Sequence, residues 1–251
     1  MWAWFLTSTV WGFDPAELSS EPPTREVVYY KTSLTDGMRE LRERFTDSQL
    51  QVLEKLNRCD LTHLDQQKTV IVPETWRADE LRYSPLPMRY AWVASYPKAL
   101  IIYQPAQVFG GYEHGRLVRW GPVSTGRKGA QTPSGFFHLN WKSTGRHSTV
   151  DSDWFMPWYF NFHNRLGLSL HEYSLPGYPA SHACVRLLKR DAQWLYAWGK
   201  GWELDEKGWK VLKYGTPVLS LGAYDFNAPP PWRSLQWLKQ GVELPVSPIV
   251  E

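Results

Sequence analysis

The sequence predicts a mainly β protein, a sandwich or barrel carrying one long helix, preceded by a small strand–helix–helix–strand module. Three observations carry this. Residues 83–224 hold successive β-leaning, aromatic runs punctuated by Gly and Pro turns. Residues 25–80 are more charged, and place leucines at helical spacing between two short β-leaning runs. Only one stretch of the larger zone, Lys189–Trp198, has the length and apolar spacing of a helix.

The elements follow in order. Residues 1–24 open on Met1-Trp2-Ala3-Trp4-Phe5-Leu6, with no Lys or Arg ahead of the apolar run. They read as an arm or a signal remnant, too short to span a bilayer. In the module, Glu26–Tyr30 reads as a strand. Thr35-Asp36 begins a helix with Met38, Leu41 and Phe45 on one face. Ser48 begins a second, with Leu50, Leu53 and Leu56 in register. Lys68–Pro73 closes as a strand.

In the larger zone, Tyr90–Ser95 and Ala99–Tyr103 read as β runs joined across Tyr96-Pro97-Lys98. Glu113-His114-Gly115 is a turn before the strand Arg116–Trp120. Val123-Ser124-Thr125 leads into a Gly-rich loop, Gly126–Gly135, and then the strand Phe136–Asn140. Gly215–Leu221 closes as a strand. Residues 225–251 open on Ala228-Pro229-Pro230-Pro231 and read as a Pro-rich tail or strap with one helical turn over residues 233–239.

Composition narrows the function. A net charge of +3 without a Lys/Arg cluster argues against nucleic acid. Fifteen Trp residues suit a core, or a surface that binds flat amphipathic ligands such as sugars and peptides. Two cysteines, Cys59 and Cys184, make no disulfide framework. The histidines lack metal-ligand spacing except for His171 and His182, and with one nearby thiol and no paired Asp zinc is not expected there, nor any other cofactor.

The chemistry concentrates between His171 and Leu187. Cys184 follows Ser181-His182-Ala183, with His171 thirteen positions upstream. A thiolate is the nucleophile, and only about 3% of an ordinary cysteine is ionised at pH 7. A histidine must therefore take its proton. His182, two residues away, cannot readily set a ring nitrogen on the sulfur. His171 can, because Pro176-Gly177-Tyr178-Pro179 folds the chain back. His171 is thus the expected base, Ser181 its orienter, and His182 a support. Backbone N–H groups around Ala183 and Cys184 suit an oxyanion. Arg186 has the planar fork for a substrate carboxylate. Trp154, Trp158 and Tyr159 are candidates for the rim of the cleft.

Leu170-His171 together with Leu175-Pro-Gly-Tyr-Pro-Ala-Ser-His-Ala-Cys-Val-Arg-Leu187 resembles the signature of the L,D-transpeptidase (YkuD-type) catalytic domain. Val123-Ser-Thr-Gly126, Thr132-Pro-Ser-Gly135, Met156-Pro-Trp-Tyr159 and the helix after Asp191 resemble further stretches of that family. Ala183 stands where the family has Gly, a change that is tolerable where φ is negative. Glu172 stands where Gly often follows the base, and a carboxylate there would either raise its pKa or reshape the pocket. Leu53-Glu-Lys-Leu56-Asn57 and Val70-Ile-Val-Pro73 resemble a LysM module, the small domain that grips N-acetylglucosamine chains.

The resemblance implies a cysteine-dependent acyltransferase in the periplasm or cell envelope. Its partners would be peptidoglycan stem peptides and glycan strands, with a stem amine, the lysine of a wall-anchored protein or water as acceptor. Catalysis would use Cys184, His171 and Ser181, with substrate and oxyanion held by His182, Ala183, Arg186 and Tyr159. A stem-cutting L,D-carboxypeptidase or endopeptidase, and a wall-binding protein without turnover, are the alternative classes.

Overall fold

The computed structural model describes residues 27–148 and 151–247. The expected N-terminal arm lies outside them. The chain begins with β1 (Tyr29–Ser33), α1 (Gly37–Arg44), α2 (Asp47–Asn57), the single turn α3 (Leu61–Leu64) and β2 (Thr69–Pro73). β1 and β2 pair antiparallel, with Tyr29 opposite Pro73. The turn α3 was not anticipated. It forms because the Asp60 side chain accepts the His63 N–H and caps it. Thr46, not Ser48, starts α2: its hydroxyl accepts the Gln49 N–H, and the Gln49 side chain returns to the Thr46 N–H. Leu41, Leu50, Leu53, Leu64, Val70 and Val72 close a small core of their own.

Next come β3 (Ala99–Tyr103), β4 (Val108–Glu113), β5 (Arg116–Ser124), β6 (Gly135–His138), β7 (Lys142–His147), β8 (Phe155–His163), β9 (Leu168–Glu172) and β10 (Val185–Leu187). They are followed by α4 (Lys189–Trp198), an outlying hairpin of β11 (Glu203–Leu204) and β12 (Val211–Lys213), and β13 (Pro217–Leu221). The fold is mainly β: apart from the outlying hairpin, these strands form one curled nine-stranded sheet in the order β6-β13-β3-β4-β5-β10-β9-β8-β7. β9–β10 and β3–β13 are parallel pairs, and the rest are antiparallel.

The middle of the sheet is covered on both faces, so its strands read as continuous apolar runs. In β3, Ala99 and Ile101 face a core shared with Val52, Leu56 and Ile71 of the N-terminal module. Leu100 and Ile102 face the other core, where α4 inserts Ala192 and Leu195. The buried Asp191 in the first turn of α4 pairs with Arg119 at 2.7 Å, a carboxylate at the positive end of the helix.

Tyr90–Ser95 is not a strand. Ala91–Val93 is a 3₁₀ turn. The Tyr90 N–H bonds Gly115 O and the Val93 N–H bonds Tyr90 O, so the apolar residues enter the core through a reversal. β5 runs on to Ser124, beyond the expected strand Arg116–Trp120.

The C-terminal segment is a packed strap. Trp232 is fully buried, and Leu238 on α5 (Leu235–Gln240) joins the shared core. Arg58 binds three parts of the chain together. It ends α2 at φ 61°, its Nε donates to Ala106 O at 2.9 Å, and its guanidinium lies over the rings of both Trp120 and Trp232. Among the described residues, no helix is long and apolar enough to cross a membrane.

Candidate active site

Register builds the site. β9 and β10 run parallel, with Leu170 opposite Val185 and His171 opposite Arg186. Side chains alternate along a strand, so Ser169 and His171 share a face of β9, and Cys184 immediately precedes β10. The Ser169 hydroxyl accordingly lies 3.5 Å from Cys184 Sγ. His171, Ser181, His182, Cys184 and Arg186 line one cavity of about 290 Å³.

His171 is only 4% exposed. Its Nδ1 is 2.9 Å from the Glu172 carbonyl oxygen, which can only accept. Nδ1 therefore carries the hydrogen and Nε2 keeps its lone pair. Burial lowers the His171 pKa to about 4; the Glu172 carbonyl opposes this and Arg186 reinforces it. The ring is neutral at pH 7, the state of a base. Two expectations are corrected here. The orienter is the Glu172 carbonyl, not Ser181. Desolvation drives the pKa down, and the Glu172 carboxylate does not raise it.

Ser181 acts on the backbone of Cys184. Its hydroxyl donates to the Cys184 carbonyl. Its N–H bonds Thr125 O at 3.0 Å, and its carbonyl accepts from Arg127 N–H at 2.9 Å. Thr125 is in turn held by Gln107, which accepts its N–H and donates to its hydroxyl at 2.9 and 2.8 Å. Ala183 has φ 83°, in the left-handed region, so the condition under which alanine is harmless is not met. Such a conformation costs an L-residue about 1–2 kcal/mol.

The N-terminal module reaches the loop between His171 and Cys184. Asp60 accepts the Leu175 N–H through Oδ2 at 2.7 Å, and its own N–H bonds Leu175 O at 3.0 Å. Cys59 bridges to Pro176 beside it. Burial raises the Asp60 carboxyl, but hydrogen bonds from Thr62, Leu175 and His63 outweigh it and hold the group below the usual range. Arg190 on α4 pairs with Glu54 on α2. Cys59 and Cys184 are both free. Burial pushes the Cys59 thiol far up, which leaves it inert.

The remaining predicted residues divide. The Arg186 guanidinium stacks over Tyr173 at 4.6 Å and donates to Ser174 O. Exposed His182 packs on Trp154 with ring centroids 4.8 Å apart. Tyr159 and Trp154 line the cavity; Trp158 instead packs against Tyr196 beside the core of α4. Sequence reasoning missed Ser169, Trp141 and Arg146. Arg146 lies over the Trp141 and Tyr159 rings inside the cavity. The strand Lys142–His147 that presents it is polar and nowhere fully buried, so its composition carries no mark of a cavity wall. No cluster of three metal-ligating side chains occurs among the described residues.

Residues 97–219 match the family profile of the L,D-transpeptidase catalytic domain, YkuD. No curated protein matches the chain significantly. Among solved structures, an L,D-transpeptidase from Xylanimonas cellulosilytica is 28% identical, with 68% of this chain and 78% of that one covered at a TM-score of 0.46. One from Stackebrandtia nassauensis is 25% identical, with 52% and 58% covered at 0.42. One from Mycobacterium tuberculosis H37Rv is 19% identical, with 62% and 72% covered at 0.39. This chain thus spans 58% of the Stackebrandtia protein's length. Residues 97–219, which hold both His171 and Cys184, belong to the L,D-transpeptidase (YkuD) catalytic-domain family.

Proposed function

We propose that the protein is a peptidoglycan L,D-transpeptidase that works through a Cys184 thioester. The observation that carries this is the placing of a neutral, buried His171 and Cys184 on the wall of one cavity by the parallel register of β9 and β10. Cys184 Sγ attacks the carbonyl that follows the L-centre of meso-diaminopimelate in a tetrapeptide stem, and His171 Nε2 takes the thiol proton. The C–N bond breaks, His171 returns the proton to the leaving nitrogen, and D-Ala departs. An acceptor amine then attacks the thioester, gives its proton to His171 and releases the thiol. N–H groups of Ala183 and Cys184 hold the oxyanion at both stages. Arg186 and Arg146 are the cavity's cations for stem carboxylates.

This reading places the protein in the cell envelope, with stem peptides and glycan strands as partners. The N-terminal module would serve as a LysM-like glycan grip; its support is the antiparallel β1–β2 pair flanking α1 and α2. Incubation with purified muropeptides, read by mass spectrometry, tests the activity. Cross-linked dimers mark transfer to a stem amine, and tripeptide alone marks trimming by water. Unchanged tetrapeptide with active-site thiol intact would overturn the proposal.

A further inference from the structure

We infer that Thr132 is a positioning residue for the reaction. From outside the cavity, its hydroxyl fixes the peptide plane between Ala183 and Cys184 so that the Cys184 N–H is presented to the oxyanion. The inference rests on the proposed acyl transfer at Cys184 and names a residue that serves it.

The hydroxyl has two defined partners. It accepts the Gly126 N–H at 3.0 Å and donates to the Ala183 carbonyl oxygen at 3.0 Å. A hydroxyl has one hydrogen, so with Gly126 as donor that hydrogen belongs to Ala183. Thr132 is 3% exposed and is absent from the cavity lining, whereas Ser181, His182 and Cys184 form part of it. In a trans peptide the C=O and the following N–H point in opposite directions. Holding the Ala183 carbonyl on the Thr132 side therefore sends the Cys184 N–H the other way, toward the cavity.

Two features make the hold necessary and firm. Ala183 sits at φ 83°, where an L-residue resists staying, so the turn that carries this peptide plane keeps its shape only where neighbouring groups over-determine it. The loop that carries Thr132 is closed tightly: a Cβ on Gly126 would lie 2.0 Å from Ala130 O and 2.6 Å from Thr132 N. The next peptide plane is fixed independently, by the Ser181 hydroxyl on the Cys184 carbonyl. Carbonyls on both sides of the nucleophile are thus held by side chains, one from a distant loop and one from its own segment.

The experiment compares two reactions of the same thiol. Acylation by a carbapenem passes through an oxyanion. Alkylation by iodoacetamide does not. In Thr132→Val, acylation should slow at least tenfold while alkylation at the same pH stays within twofold of wild type. Thr132→Ser, which keeps the hydroxyl, should restore most of the acylation rate. Thr132→Ala carries the same expectation should the valine variant not fold. Unchanged acylation in a folded variant, or a parallel fall of both rates, would overturn the positioning role. Cys184→Ala is the control for the underlying reading: an adduct that persists in it defeats the thioester proposal itself, whatever Thr132 does.

Discussion

The proposed base and the proposed nucleophile are held in opposite ways. His171 lies within a regular strand, paired on β9 opposite Arg186, and is oriented by the adjacent backbone carbonyl. Cys184 lies just outside the ladder, after a left-handed alanine, and its backbone is fixed by side chains from residues 132 and 181. His171 is thus secured by the backbone of its own strand, and the Cys184 segment by side chains, one from a distant loop and one from the segment itself. A strand keeps a side chain in place through its own ladder. A strained turn keeps its shape only where the surroundings over-determine it.

The largest expected effect is on the base. His171→Gln should reduce the acylation rate by about 10²–10⁴-fold. The same variant tests the burial of the ring. The folded His171 pKa, about 4, lies below the ordinary value of 6.5. Stability from the neutral ring is therefore fully present above about pH 6.5 and is lost as pH falls toward 4. Urea titrations of wild type should show about 3 kcal/mol more acid destabilisation across that window than titrations of His171→Gln. Equal slopes would place the ring in contact with water.

A smaller effect is expected where the N-terminal module holds the loop. Asp60→Ala leaves the N–H of fully buried Leu175 without its acceptor. The variant should lose about 2 kcal/mol of stability. Acylation should fall about tenfold, the loss expected from a small displacement of the loop. Wild-type activity in a destabilised variant would make the contact a matter of folding alone. The smallest effect is at Ala183. Ala183→Gly removes the left-handed strain but adds chain entropy to the unfolded state, a net gain of about 0.5–1 kcal/mol by thermal melting. A loss would mean that the alanine methyl packs favourably there.

The same contrast explains what was legible in the sequence. Segments that pair or coil by their own pattern were readable: α4, β3 and β13 appear where periodicity and turn residues place them. Cys184, His171 and Arg186 share a short, chemically marked segment, so their grouping in one cavity was readable too. Contacts set by distant backbone were not. The Glu172 carbonyl carries no side-chain signature, so the orienting role fell to the nearest hydroxyl, Ser181. Ala183 adopts a positive φ without being glycine, and its carbonyl is held by Thr132, fifty-one positions away. Tyr90–Ser95 has strand composition, yet its partners at Gly115 and within its own turn bend it into 3₁₀ form.

The central claim is that Cys184, deprotonated by His171, is the group that receives the acyl chain. Intact-protein mass spectrometry after exposure to a carbapenem tests it most directly. Wild type should gain one adduct, located on Cys184 by peptide mapping, while Cys184→Ala should gain none. An adduct on any other residue, or one of equal yield in Cys184→Ala, would contradict the account.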